Sequence, residues 1–109
     1  MDVREVNKFG REVKRSGSYY YYSSTNFTAE DSPLELNIVN DLGCEAGDGY
    51  IIVDGEGDLI VELMSLSDND YGPKITIKKN EIHHLYPQMI KSIKLTHSGT
   101  NTAYRIFVC

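Results

Sequence analysis

From residue 34 onward, apolar and polar positions alternate in short runs broken by glycine, proline and asparagine, the pattern of half-buried strands joined by turns. Leu34, Leu36 and Ile38 alternate with Glu35 and Asn37 directly after Pro33. Tyr50, Ile51, Ile52 and Val53 form a run that is apolar on both sides, as expected of a central strand. Leu59, Val61 and Leu63 share one face with Glu62 on the other, and residues 54–58 between the two runs hold two glycines among three acids. That composition reads as a turn, so residues 50–53 and 59–64 are predicted to pair as a hairpin. Ile75 and Ile77 alternate with Lys74, Thr76 and Lys78, and Lys79-Asn80 turns the chain into a strand over 81–86. Ile93 and Leu95 face inward on a strand over 90–96, and Tyr104, Ile106 and Val108 make the stripe of a closing strand. About seven strands with turn signals at this spacing predict an all-β sandwich or barrel. The links are too short for crossover helices, so the pairing is antiparallel. The expected fold over 34–109 is an antiparallel β-sandwich, jelly-roll-like or barrel-like in form.

Residues 1–33 read differently and are set apart as an N-terminal arm with a tyrosine-rich segment. Val3, Val6, Phe9 and Val13 recur near helical spacing, but Gly10 would cost a helix interior about 1 kcal/mol relative to alanine. A short amphipathic helix and an extended arm both remain open. Ser18 to Ser23 suits a strand, with Tyr19 and Tyr21 on one face and Tyr20 and Tyr22 on the other. Tyrosine on both faces supplies contact area at low entropic cost if the strand meets a partner, or a cap for the core if it does not.

Charge sharpens this division. Residues 1–15 hold five bases and three acids, residues 16–73 hold twelve acids and no base, and residues 74–109 hold six bases and Glu81. Such blocks imply either complementary contacts inside the fold or oppositely charged faces that meet neighbouring molecules. The net charge of −5 argues against direct nucleic-acid binding, which needs a concentrated basic surface. No run approaches the apolar length of a membrane span, and Asp2, Arg4 and Glu5 occupy positions where a signal peptide needs an apolar core. Cys44 and Cys109, far apart in the chain, do not make a disulfide framework; a single bridge between them stays open, with free thiols in a reducing cytoplasm the expectation. Cys109 as the last residue does not fit a prenylation signal.

Candidate chemistry is sparse. His83 and His84 are neighbours and would point to opposite faces of a strand, so they cannot readily chelate one metal together. His97 could join one of them across strands, but a third ligand has no candidate. The cupin spacing, His-x-His with a later Glu, does not occur. Asp54, Glu56 and Asp58 have the alternation of a calcium loop, yet the sixth position is Leu59 and the twelfth Ser65, where an EF-hand needs Gly and Glu. A solvated turn is the simpler reading. No nucleophile elbow, phosphate loop or dinucleotide fingerprint is present, and no pair of carboxylates is singled out for glycoside hydrolysis. The chain is therefore read as a non-enzyme with no metal and no cofactor.

The run PKITIKKNEIHHLYPQMIKSIKLTHSGTNTAYRIFV, from Pro73 to Val108, combines a lysine-flanked isoleucine strand, a Lys-Asn-Glu turn, a strand ending at Leu85-Tyr86-Pro87, and a closing Tyr-Arg-Ile-Phe-Val strand. With LELNIV and GYIIVDGEGDLIVEL upstream, it resembles the small all-β accessory proteins of tailed-bacteriophage virions, such as capsid decoration (cement) proteins and head or tail adaptors. The resemblance covers residues 34–108 in pattern and carries no signature residues. It implies a structural protein of the virion, assembled in the host cytoplasm. It also implies binding to the major capsid protein or another virion subunit, often as a symmetric homo-oligomer. On the arm, Arg4, Lys8, Arg11, Lys14, Arg15, Tyr19, Tyr20, Tyr21 and Tyr22 are the candidate partner-binding residues. The alternative is a soluble binding module, such as a carbohydrate-binding β-sandwich, which predicts an exposed aromatic platform beside Asp or Asn side chains. A metal-dependent β-barrel enzyme is the third reading.

Overall fold

The computed structural model describes residues 20–85 and 89–109. It contains β1 (Tyr20–Phe27), β2 (Leu34–Asn37), α1 (Ile38–Leu42), β3 (Gly49–Val53), β4 (Leu59–Ser65), β5 (Ile75–Ile77), β6 (Ile82–His84), β7 (Ile90–His97) and β8 (Thr102–Val108). Two four-stranded antiparallel sheets face each other, one in the order β1-β8-β3-β6 and the other β2-β7-β4-β5. The logic of this order is a long hairpin that has been rolled up. β4 pairs with β5, β3 with β6, β2 with β7 and β1 with β8. Rolling then adds the contacts β3–β8 and β4–β7. This is jelly-roll topology, and the expected antiparallel β-sandwich is the observed fold.

The inward residues are those the alternation singled out. Leu36, Ile51, Val53, Leu59, Val61, Ile77, Ile93, Leu95, Tyr104, Ile106 and Val108 are all buried between the sheets. Phe27 closes one end of this core and stacks edge-on against Tyr104 at 5.7 Å between ring centroids. Burying a branched aliphatic side chain of this size contributes roughly 1.5–3 kcal/mol, so the interior residues shared by the two sheets dominate the stability.

Three expectations are corrected. First, residues 50–53 and 59–64 do not form a hairpin: β3 and β4 lie in different sheets. The link between them crosses the end of the sandwich against the backbone leading into β8, with Asp54 N–H and Gly55 N–H donating to Ala103 O and Gly57 N–H donating to Asn101 O. A Cβ on Gly55 would lie 2.3 Å from Ala103 N, so its glycine serves close backbone approach rather than a two-residue hairpin turn. Second, Ile38 does not extend β2. Asn37 accepts a hydrogen bond from Asn40 N–H at 3.0 Å, starting the single helical turn α1, which Gly43 closes in the left-handed conformation. Third, residues 20–27 form a strand of the sandwich. β1 pairs along β8 from Tyr20↔Val108 to Phe27↔Thr102, with a register shift between Ser24 and Phe27. The possible helix over Val3 to Val13 lies outside the described residues.

β1 is anchored by the inward members of its tyrosine run. Tyr20 and Tyr22 pack against the core, their ring centroids 4.9 Å apart, and Tyr22 Oη donates to Asp41 Oδ2 of α1 at 2.6 Å. Burial, followed by the hydrogen bond and charge of Asp41, pushes the Tyr22 phenol far above its ordinary value. Burial, with the charge of Asp31, raises Tyr104 in the same direction.

Two predictions follow from this packing. The folded protein holds the Tyr22 and Tyr104 protons more tightly than the unfolded chain does. Their contribution is thus complete below the ordinary tyrosine pKa of about 10 and is lost as pH rises beyond it. Denaturant titrations should show stability falling above about pH 10, with a shallower fall in Tyr22→Phe and Tyr104→Phe. Gly49 has φ +145°, and a Cβ there would sit 2.1 Å from Phe107 O in the neighbouring strand. Gly49→Ala is expected to cost at least about 2 kcal/mol, read as a lower denaturant midpoint.

Candidate interaction face

A sandwich sheet normally buries one face and presents polar residues on the other. The β2-β7-β4-β5 sheet largely follows that rule. The register places Glu35, Lys94 and Glu62 in one row of its outer face, with Asn37, Ser92 and Met64 in the next and Thr96, Ile60 and Thr76 in a third. Lys94 Nζ sits 5.6 Å from the centre of the Tyr71 ring, which comes from the loop beyond β4.

The outer face of the β1-β8-β3-β6 sheet departs from it. Tyr21 pairs with Phe107, Phe107 with Tyr50, and Tyr50 with His84, so one ring from each strand lies in a single row. Successive ring centroids are 4.7, 4.9 and 6.2 Å apart, and the rings are tilted by 48°, 33° and 53°. The row spans about 14 Å, three strand spacings. Next to it run Ser23, Arg105, Ile52 and Ile82, again one residue per strand. Tyr21 is 44% exposed and Ile82 is 54% exposed, so the apolar surface is open at both margins of the sheet. Asp54 holds Arg105 through both guanidinium arms, Nε to Oδ2 at 2.8 Å and Nη2 to Oδ1 at 3.0 Å. That contact holds the Arg105 proton more tightly than usual and fixes the fork at the border of the apolar patch.

The same ion pair explains part of the charge segregation. Asp54 pairs with Arg105, Glu56 with Lys79, and Asp58 with Lys78 at 3.7 Å, so each acid of the 54–58 link meets a base from the C-terminal block. The blocks of opposite sign therefore make complementary contacts inside the fold at this end of the sandwich. The three acids diverge onto three separate bases instead of converging on one cation.

The other singled-out residues separate in space. His84 is exposed on the outer face, whereas the register of His83 with Ile51 turns it inward. His97 lies on β7, in the opposite sheet. Its Nδ1 accepts from Gly99 N–H at 3.1 Å, which leaves Nε2 to donate to Asn101 Oδ1 at 2.8 Å, so this ring fastens the turn into β8. Among the described residues no three His, Cys, Asp or Glu side chains come together as a metal-binding group. Cys44 and Cys109 are both exposed and unpaired with each other, and partial burial beside Asp48 raises the Cys109 thiol. Of the candidate partner-binding residues, Arg4, Lys8, Arg11, Lys14, Arg15 and Tyr19 lie outside the described residues. Tyr20 and Tyr22 turn toward the core, which leaves Tyr21 as the described member of that set on the outer face.

Phe107, Tyr50, Ile52, Ile82 and Arg105 were not singled out from sequence as binding residues, although the signal was there. A run apolar on both sides, such as residues 50–53, must in a two-layer sandwich turn one apolar set outward. The stripe of Tyr104, Ile106 and Val108 likewise implies that Arg105 and Phe107 face the other way.

No protein-family model and no curated protein matches the chain. Among solved structures, the fold is similar to that of FeII HppE, with a TM-score of 0.51 and 7% sequence identity over 84% of this chain. The chain corresponds to 43% of the length of that one. At this identity the likeness is one of fold alone. That protein is an iron(II) protein by its description, but no residue assignment passes from it to this chain.

The dispersal of Asp54, Glu56 and Asp58 gives a direct prediction. Millimolar calcium should leave the thermal midpoint within about 1 °C, because among the described residues no shared site links cation binding to folding. A rise of several degrees, abolished by Glu56→Gln, would show instead that the acids can converge.

Proposed function

We propose that this chain is a non-enzymatic interaction protein and that its working surface is the outer face of the β1-β8-β3-β6 sheet. The observation that carries the reading is the aromatic row joined to half-buried Ile52 and exposed Ile82. Aromatic, aliphatic and arginine side chains gathered at the centre of a patch are the composition of a protein–protein interface core. Contiguous apolar surface of this kind marks a site of contact, whereas the outer face of the second sheet carries the ordinary polar cover. The ring geometry points to a protein partner before a sugar. A sugar ring stacks on a flat, open aromatic plane, while these rings tilt against one another and abut aliphatic side chains.

The resemblance to accessory proteins of tailed-phage virions supplies the class of partner: the major capsid protein or a neighbouring virion subunit, with the chain itself in a homo-oligomer. The likeness of pattern over 34–108 and the apolar outer face support that assignment. Carbohydrate binding stands as the second reading because Asp54, through Arg105, borders the apolar patch that contains the aromatic row.

Genes for coat, portal or tail proteins beside this one would supply the partner to be purified. The full chain should then bind particles of that coat protein, and Ile82→Glu or Tyr21→Ser should weaken binding at least tenfold without lowering the melting midpoint by more than a few degrees. Binding unaffected by both substitutions would refute the assignment of the face. Selective retention on a glycan array, lost in Tyr21→Ser, would favour the sugar reading.

A further inference from the structure

The outer face of the β1-β8-β3-β6 sheet differs from the rest of the surface in charge as well as in polarity. Arg105 and Asp54 neutralise each other on it. Elsewhere Glu35, Glu45, Glu62, Asp68 and Asp70 form no ion pair among the described residues. A chain of net charge −5 repels its own copies through such surface. Two copies therefore meet at the lowest electrostatic cost with these outer faces together. The face is open where such a contact needs it: Tyr21 is 44% exposed, Ile82 54%, and the Arg105 side chain 45%.

The pattern on the face is also self-complementary. Two rows lie about 7 Å apart, two residues along each strand: Tyr21, Phe107, Tyr50 and His84 in one, Ser23, Arg105, Ile52 and Ile82 in the other. A two-fold axis in the plane of contact, parallel to the rows and midway between them, lays each row on the other row of a second copy. Tyr50 then meets Ile52, His84 meets Ile82 and Tyr21 meets Ser23, so rings cover aliphatic or small side chains. One row further on, Asp48 pairs with Cys109 through its backbone N–H and C=O and is exposed. The same axis sets Asp48 opposite the Asp54–Arg105 pair of the second copy. Asp54 occupies Nε and Nη2 of that guanidinium, and Nη1 makes no hydrogen bond among the described residues, which leaves it to donate to Asp48.

We infer that two copies of this chain stack face to face through these rows, as an isologous dimer with the sheets about 10 Å apart. The inference deepens the proposed function and rests on its reading of this face as the working surface: it names a second copy as the occupant when no other partner is present. Four strands by three rows make a face of about 20 by 20 Å, or about 400 Å² per copy. That is below the roughly 800 Å² per partner of a stable complex, so the dimer is weak and reversible. Self-pairing and binding of a virion subunit exclude each other, because both take the same face.

Sedimentation equilibrium on the full chain, from micromolar to millimolar concentration, tests it. Ile82→Glu introduces a carboxylate that water solvates in the monomer and the contact buries in the dimer. Thr76→Glu, exposed on β5 in the other sheet, makes the same change in net charge elsewhere. The expected result is a concentration-dependent dimer whose Kd rises at least tenfold in Ile82→Glu and is unchanged in Thr76→Glu. In Asp48→Asn it rises at least threefold, although that variant lowers the net charge that copies oppose to each other. On the unsubstituted chain, hydroxyl-radical footprinting should show Tyr21, Tyr50 and Ile82 becoming protected as concentration rises, with Tyr71 and Met64 unchanged. A Kd that moves equally in Ile82→Glu and Thr76→Glu, a Kd indifferent to Asp48→Asn, or a dimer without that protection overturns face-to-face pairing. A monomer at every concentration overturns it as well, together with the homo-oligomer reading. Each of these results leaves the assignment of the working face to be decided separately, by whether Ile82→Glu and Tyr21→Ser weaken binding to the coat protein.

Discussion

The alternation along β8 divides the molecule into a core side and an outer side that carries aromatic and apolar residues. β8 is hydrogen-bonded to β1 on one side and β3 on the other, so its side chains have no freedom to choose a face. Tyr104, Ile106 and Val108 enter the core, and Arg105 and Phe107 are committed to the opposite surface. A slip of one residue in either pairing would exchange these sets, burying a guanidinium and exposing three core side chains. Such a slip is far costlier than any surface contact could offset. The register is therefore fixed by the core, and the aromatic row exists because the core demands that register.

That dependence links the ends of the chain to its middle. β1, from the tyrosine run, and β3, from the acidic middle block, meet only through the C-terminal strand between them. Gly49 allows β3 to approach Phe107 closely, and Gly55 allows the following link to lie on the backbone at the start of β8. The ion pairs of Asp54, Glu56 and Asp58 then fasten that link from the solvent side. Exposed pairs of this kind contribute little stability individually, but they explain how an acidic middle block and a basic C-terminal block coexist in one fold.

Much of the fold was legible because period-two alternation is a local signal: Leu36, Ile93, Leu95, Tyr104, Ile106 and Val108 were assigned inward from spacing alone and are buried. What was not legible was which strand lies beside which. The glycine-rich link 54–58 looks the same whether it turns a hairpin within a sheet or crosses between sheets, and only the distant backbone of Ala103 decides. α1 was missed because a single turn is too short to show helical periodicity, although Asn37 and Gly43 are its two caps. The outer face was missed for a different reason. Its members sit on four separate strands, and within the run of four tyrosines Tyr20 and Tyr22 serve the core while Tyr21 joins Phe107 and Tyr50, a division that only the pairing with β8 sets.

The central claim is that the surface opposite the core on β8, not the interior and not the polar sheet, does the work of this chain. Hydroxyl-radical footprinting of the full chain, free and bound to its assembly partner, reads that claim residue by residue. The account predicts protection of Tyr21, Tyr50 and Ile82 on binding, with Tyr71 and Met64 of the opposite side reacting as in the free chain. Protection of Tyr71 and Met64 with Tyr21, Tyr50 and Ile82 left fully reactive would contradict it.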